Sequence, residues 1–179
     1  MDILDTIKER RSVRRFKKEK IPSEAVKKIL EAARWAPSGL NNQPWRFVVL
    51  EGGEKNILAS YTTYSYIVKG ADKIILTFLD KKSSYNYEKD LMAIGACIQN
   101  MLLYIHSQKL GACWLGEILN KRQEVENFLK IPQGLQLEAA IALGKPAIYP
   151  KKARRERLKK LIILKKIVIK INAFLLKRT

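Results

Sequence analysis

Two stretches of this 179-residue chain carry side chains suited to holding a charged, polar ligand. The first is Arg10-Arg11-Ser12-Val13-Arg14-Arg15. Planar guanidinium forks with an adjacent hydroxyl suit a phosphate monoester. The same cations at the end of a helix would complement its negative pole, worth a few tenths to about 1 kcal/mol. On the residues alone the two readings stand level. The second stretch is Ala36-Pro37-Ser38-Gly39-Leu40-Asn41-Asn42-Gln43-Pro44-Trp45-Arg46-Phe47. It is rich in turn formers, as a helix-to-strand loop would be. Its amides also offer the paired donors and acceptors that a heterocycle edge or a polyhydroxyl chain requires.

Other chemistries find no support. There is no GxGxxG, no GxxxxGK and no GxSxG. The single histidine, His106, falls near the end of the longest expected helix and reads as a surface or packing residue. Cys97 and Cys113 are sixteen apart and form no CxxC pair, so a zinc site is not expected and buried free thiols are. If the chain catalyses a reaction, an organic cofactor supplies the difficult step.

The elements that must position these stretches follow from periodicity. Residues 2–10 predict a short helix with Ile3, Leu4 and Ile7 on one side. Ser23 is the expected N-cap of a second helix, with Glu24 in its first turn and Val26, Ile29, Leu30 and Ala33 at i, i+3, i+4, i+7. Trp45–Leu50, Lys73–Leu79 and Leu137–Leu143 predict strands. A helix over about 87–109 is apolar around much of its circumference, which belongs in a core or an interface; Gly111 is expected to break it. Residues 121–130 predict a last short helix. Helices and strands mix without regular βαβ alternation, so the fold class is α+β.

Length and composition suit one globular core, with 47% apolar and 29% charged residues. The N-terminus lacks the pattern of a signal peptide, and no apolar run approaches the roughly 18 residues of a membrane span. A soluble, cytoplasmic protein is expected. The net charge of +18 is concentrated at the C-terminus, where residues 151–179 hold twelve Lys/Arg against Glu156. Such a tail suits nucleic acid or an anionic membrane, or is simply a solvated surface, and the last is preferred. Within it, Ile167, Ile169 and Ile171 alternate with Val168, Lys170 and Asn172, the period of a half-buried strand.

Taken in order, the motifs resemble those of the nitroreductase family. An RRSVRxF-like start precedes APSxxNxQPWxF. A helix with Asp90, Gly95, Ala96, Gln99 and Asn100 follows, then a GLGxxW-like turn at Leu110–Gly116, then Leu143-Gly144-Lys145-Pro146 and a basic stretch. The resemblance covers roughly residues 1–158, leaving 159–179 as a basic, apolar tail. It implies a mixed sheet flanked by helices and an intertwined homodimer with FMN at the interface. It also implies that Arg10, Arg11, Ser12 and Arg14 hold the FMN phosphate, ribityl chain and flavin edge. Arg14 would face the N1 and carbonyl edge. Pro37, Ser38 and Gly39 would approach the same flavin from the partner subunit, and Asn41 and Gln43 would complete the polar contacts. The backbone of Leu115 and Gly116 would lie beside flavin N5. Arg155 and Arg157 match late phosphate contacts, with Lys152 and Arg154 as one-register alternatives. No residue of 52–72 is matched.

The implied activity is hydride transfer from NADH or NADPH through flavin N5 to an acceptor such as a nitroaromatic or quinone, in ping-pong fashion. Residues 166–172 are expected to add a strand to the partner's sheet. The competing reading is a basic protein that binds nucleic acid or a membrane surface on the same scaffold without turnover.

Overall fold

The computed structural model describes residues 2–150 and 154–163. Among these residues four strands form one sheet: β1 (Trp45–Leu50), β2 (Lys73–Asp80), β3 (Gly111–Leu115) and β4 (Leu135–Gly144). Their order is β1-β2-β4-β3, and every pairing is antiparallel. The sheet expected to be mixed is therefore antiparallel among the described residues. Its one parallel element is an isolated bridge between Ser12 and Ala112.

Strand alternation sorts the core into two halves. Ile74, Leu76 and Phe78 of β2 face one side, and Ile75, Thr77 and Leu79 the other. Helices α2 (Ser23–Arg34) and α5 (Tyr87–Ser107) cover the second face. The short helices α3 (Gly52–Leu58), α4 (Ser65–Gly70) and α6 (Arg122–Phe128) cover the first. All eight residues of β2 are buried, as expected for a central strand covered on both faces.

Helix α5 buries Ala93, Ile94, Cys97, Ile98, Met101, Leu102 and Ile105, a stripe at helical spacing that packs on the sheet and on α2. Most of its apolar surface is thus covered by its own chain. Helix α1 (Ile3–Glu9) leaves apolar surface uncovered, with Ile3, Leu4 and Ile7 73%, 50% and 47% exposed.

Three local expectations are corrected. Pro22, not Ser23, caps α2, because the helix starts one residue early and proline's fixed φ suits the boundary. Helix α5 ends at Ser107, two residues before the expected 109, and Lys109 rather than Gly111 makes the turn, with φ +58°. The segment expected to be a turn at 110–116 is mostly strand β3. Its small residues are needed for close packing: a Cβ on Gly111 would meet Val13 at 2.9 Å. The segment 166–172 lies outside the described residues. A short α7 spans Leu158–Leu161.

Candidate active site

The arginine run is moored to the outer edge of β3. The backbone N–H of Val13 donates to the carbonyl of Ala112 at 2.9 Å, that of Lys17 to Lys145 at 2.8 Å, and that of Ala147 to Arg15 at 2.9 Å. Val13 is buried, so Ser12 and Arg14 project the other way from an extended chain. Ser12 is half-buried and Arg14 exposed.

The arginines do different things. Arg11 donates to the carbonyls of Lys8 and Arg10 at 2.6 and 2.7 Å, so it closes the C-terminus of α1, the role a cation takes at that pole. Arg10 caps α1 with its backbone and is half-buried. Burial pushes the Arg10 guanidinium below its ordinary pKa, and Arg11 and Arg155 push it further, with only Cys113 opposing. Among the described residues no ion pair involves Arg10, Arg11, Arg14 or Arg155. Among the described residues the cluster is thus a concentration of positive charge with no ion-paired carboxylate, and an anion would relieve it.

Arg155 joins this cluster through space and donates to the carbonyl of Arg154 at 3.0 Å. Arg157 is exposed at the start of α7, where its place is set by chain order alone. Lys152 lies outside the described residues. Leu115 is buried under the first sheet face, while Gly116 is exposed with open space where a Cβ would be. The carboxylate of Glu117 accepts from the Thr62 hydroxyl and, at 3.4 Å, from the backbone N–H of Thr63, tying that segment to the Gly116 turn. Nothing in the sequence of 52–72 marked this juxtaposition.

The loop 37–43 is strained. Leu40, Asn41 and Gln43 have φ of +54°, +54° and +48°, and none is glycine. Such residues cost of order 1–3 kcal/mol each and persist where the surroundings hold them. Ser38 accepts from the Gln43 backbone N–H at 3.0 Å through its hydroxyl, and Gln43 donates to the Asn41 carbonyl at 3.3 Å. Pro37, Asn41 and Gln43 are exposed, and Ser38 and Gly39 half-buried. Asn42, between two candidate contacts, turns inward and donates to Asp90 at 2.8 Å and to the Ser83 carbonyl at 3.0 Å.

The two candidate segments are not brought together within one chain. The loop is tied to Asp90 at the start of α5. The arginines lie near His106 at its end, where Arg10 and Arg11 both act on the imidazole. Along the helix those two positions are about 24 Å apart, at about 1.5 Å per residue. Elsewhere, Cys97 and Cys113 are free and buried, and burial pushes the Cys97 thiol up to about 12. Among the described residues no group of potential metal ligands occurs, and no helix is long and apolar enough to cross a membrane.

The model of the nitroreductase family matches residues 7–61 and 51–145, which hold both segments and β1 to β4. The chain belongs to the nitroreductase family. A nitroreductase-like protein of Desulfovibrio desulfuricans, named provisionally and solved in complex with FMN, is 48% identical with a TM-score of 0.88, over 92% of this chain and 97% of that one. A Methanothermobacter thermautotrophicus protein provisionally named NADH dehydrogenase/NAD(P)H nitroreductase is 31% identical over 153 residues, 84% of this chain and 80% of its own. An iodotyrosine deiodinase of Thermotoga neapolitana is 30% identical over 170 residues, 80% of this chain and 88% of its own. The TM-score of 0.88 shows that this nitroreductase-family chain and the Desulfovibrio desulfuricans protein share one fold.

Proposed function

We propose that this chain is an NAD(P)H-dependent flavin oxidoreductase that holds FMN between two copies of itself. The observation that carries the reading is Arg10: half-buried, flanked by like charges, and without a carboxylate partner among the described residues. A phosphate monoester fits that need, and Ser12 adds a hydroxyl on the outward side of the same strand-like segment.

Bound FMN would supply the redox step, taking a hydride from NADH or NADPH at N5 and passing electrons to an acceptor such as a nitroaromatic or quinone. The chain's own residues bind and orient. Arg10, helped by Arg155, neutralises the phosphate. Arg14, exposed and free of ion pairs among the described residues, adds positive charge toward the flavin edge, where negative charge gathers on reduction. Gly116 leaves room for close approach and offers a backbone N–H. The relatives' names run from NAD(P)H nitroreductase to iodotyrosine deiodinase, so membership of the family does not fix the acceptor.

The separation of the two segments along α5 supports a homodimer, in which the partner's Pro37–Gln43 loop completes a site begun by Arg10. The exposed Ile3, Leu4 and Ile7 provide apolar surface for that contact. The buried free thiols suit a reducing cytoplasm. The deciding experiment is an absorbance spectrum of the purified chain followed by anaerobic titration with NADH and with NADPH. A flavin spectrum bleached by either nicotinamide supports the reading; a colourless protein that does not take up FMN overturns it. Dilution should release FMN together with dissociation, because assembly and binding are linked.

A further inference from the structure

The buried carboxylate of Asp90 has no role in the function above, yet it sits under the strained loop. It is fully buried in the first turns of α5. Its Oδ1 accepts from Asn42 Nδ2 at 2.8 Å. Its Oδ2 accepts from the Ser84 hydroxyl at 2.6 Å and from the backbone N–H groups of Tyr85 and Asn86 at 3.1 and 3.3 Å. Among the described residues no cation pairs with it. Neutral donors and the positive end of α5 carry its charge. Burial pushes the carboxyl up, but the hydrogen bonds from Ser84, Asn42, Asn86 and Tyr85 outweigh it and hold the group below the usual carboxylate range.

Those bonds form a clamp between the loop 37–43 and the turn 83–86. Asn42 is the loop's side-chain link across to that turn, and its two bonds lie between the left-handed residues Asn41 and Gln43. Tyr85, fixed at its backbone by Asp90, lies on Gly39 so closely that a Cβ there would meet the ring. A parallel clamp lies beside it, where Arg46 reaches Asp80 at 2.6 Å and the carbonyl of Gln43 at 3.2 Å. The loop's conformation is thus imposed from outside, as three left-handed non-glycine residues require. Asn41 and Gln43 stay exposed because Asn42 between them is held inward.

We infer that Asp90, acting through Asn42, is a positioning residue for the loop that meets FMN. This rests on the reading that the loop touches flavin. Neither residue need contact the cofactor. Loss of the Asn42–Asp90 bond frees the loop to leave its left-handed conformation, and the flavin contacts on either side of Asn42 are lost with it.

The test uses the full-length protein with FMN as the probe. Asp90→Asn places an amide against the amide of Asn42 and should weaken FMN binding about tenfold, one charged hydrogen bond's worth. Asn42→Asp alone sets a carboxylate against Asp90 and against the Ser83 carbonyl; adding Asp90→Asn restores the bond to residue 90 in reverse while the Ser83 contact stays lost, so the exchanged pair should bind FMN about tenfold more tightly than Asn42→Asp alone. A residue serving only the fold of its own turn would show no such recovery. Asn42→Ala leaves the bonds of Asp90 to its own turn intact. It should weaken FMN binding similarly while staying folded, which keeps the test decisive if Asp90→Asn fails to fold. The visible circular dichroism of bound flavin should change in the single variants and return toward the wild-type form in the exchanged pair. Wild-type FMN affinity in Asn42→Ala, or no recovery in the exchanged pair over Asn42→Asp alone, overturns the inference. Arg10→Ala separates the two readings. If it loses FMN while Asn42→Ala does not, the flavin site stands and the clamp falls. If the wild-type chain binds no FMN, both fall.

Discussion

Val13 hydrogen-bonds to Ala112 across the edge of β3, and the bond fixes which way every neighbour of Val13 points. Gly111 has no side chain because Val13 occupies that space. With Val13 inward, Ser12 and Arg14 are outward, and Arg10 is set at the last turn of α1 among like charges. A hydrophobic contact thus aims a polar site.

Arg10→Ala should weaken FMN binding roughly 10- to 100-fold, the loss of a charge-assisted contact of about 1.5–3 kcal/mol. Arg11→Ala should cost much less affinity, since its guanidinium is spent on the carbonyls of Lys8 and Arg10. Flavin fluorescence during titration measures both. Equal losses in the two variants would remove the distinction drawn between them, and an unchanged affinity in Arg10→Ala would remove Arg10 from the site.

Gly39→Ala should disturb the loop. The added Cβ would lie 2.0 Å from the Tyr85 hydroxyl and 2.5 Å from the ring carbon bearing it. Overpacking of this kind costs about 1–3 kcal/mol where the neighbour cannot move. The Tyr85 ring is at the end of an exposed side chain, so Tyr85→Ala should relieve the clash. A double-mutant cycle followed by thermal unfolding should show Gly39→Ala less harmful in the Tyr85→Ala background. Additive effects would mean that the ring does not constrain Gly39.

Acid should unfold the protein through its two buried clamps. Burial pushes Asp80 up, but Ser83, the backbone N–H of Lys82 and Arg46 pull it below its ordinary value, and Asp90 is also depressed. A carboxyl with a depressed folded pKa contributes stability that is fully present above the unfolded value of about 3.9. That contribution is lost as pH falls from there through the folded value. Urea unfolding at pH 5, 4 and 3 should show a steep fall in stability below pH 4, shallower in Asp90→Asn. The same slope in both proteins would exclude Asp90 from the transition.

How legible this was depends on whether one side chain or a contact carried the signal. The periodicity of Val26, Ile29 and Ala33 and the unbroken run of β2 place α2 and the centre of the sheet, because each is set by burial on a regular repeat. Strand β3 reads as a turn because Gly111, Ala112 and Cys113 are small, and the glycine is explained by Val13, which fills the space a side chain at 111 would need. Gly52-Gly53 reads as a boundary but starts α3, from which Lys55 reaches the carbonyls of Lys69 and Ala71 at the end of α4. The arginine run and the loop were visible as candidates. Arg11's use as a helix cap is one of the two readings that its residue type and position allow. Asn42 was indistinguishable from Asn41 by composition, since only Asp90, 48 positions away, separates their roles.

The chain has one histidine, and that makes His106 a clean reporter on the arginine cluster. Burial lowers the imidazole pKa, Glu9 raises it, and Arg10 and Arg11 lower it again. Its Nε2 is buried without a hydrogen-bond partner among the described residues, which favours the neutral ring in the fold. Stability from this group is present above the unfolded value of about 6.5 and is lost as pH falls below it, because the unfolded chain then binds the proton more tightly. An anion on Arg10 cancels part of the repulsion that the two arginines exert. FMN should therefore raise the His106 pKa, and inorganic phosphate should do so more weakly. Arg10→Ala should raise it without any ligand and shrink the response to FMN. The single imidazole signal in proton NMR, followed from pH 8 to pH 5 with and without saturating FMN, reads each of these shifts. A His106 pKa that FMN leaves where it was, in a protein shown by fluorescence to bind FMN, would place the phosphate away from Arg10.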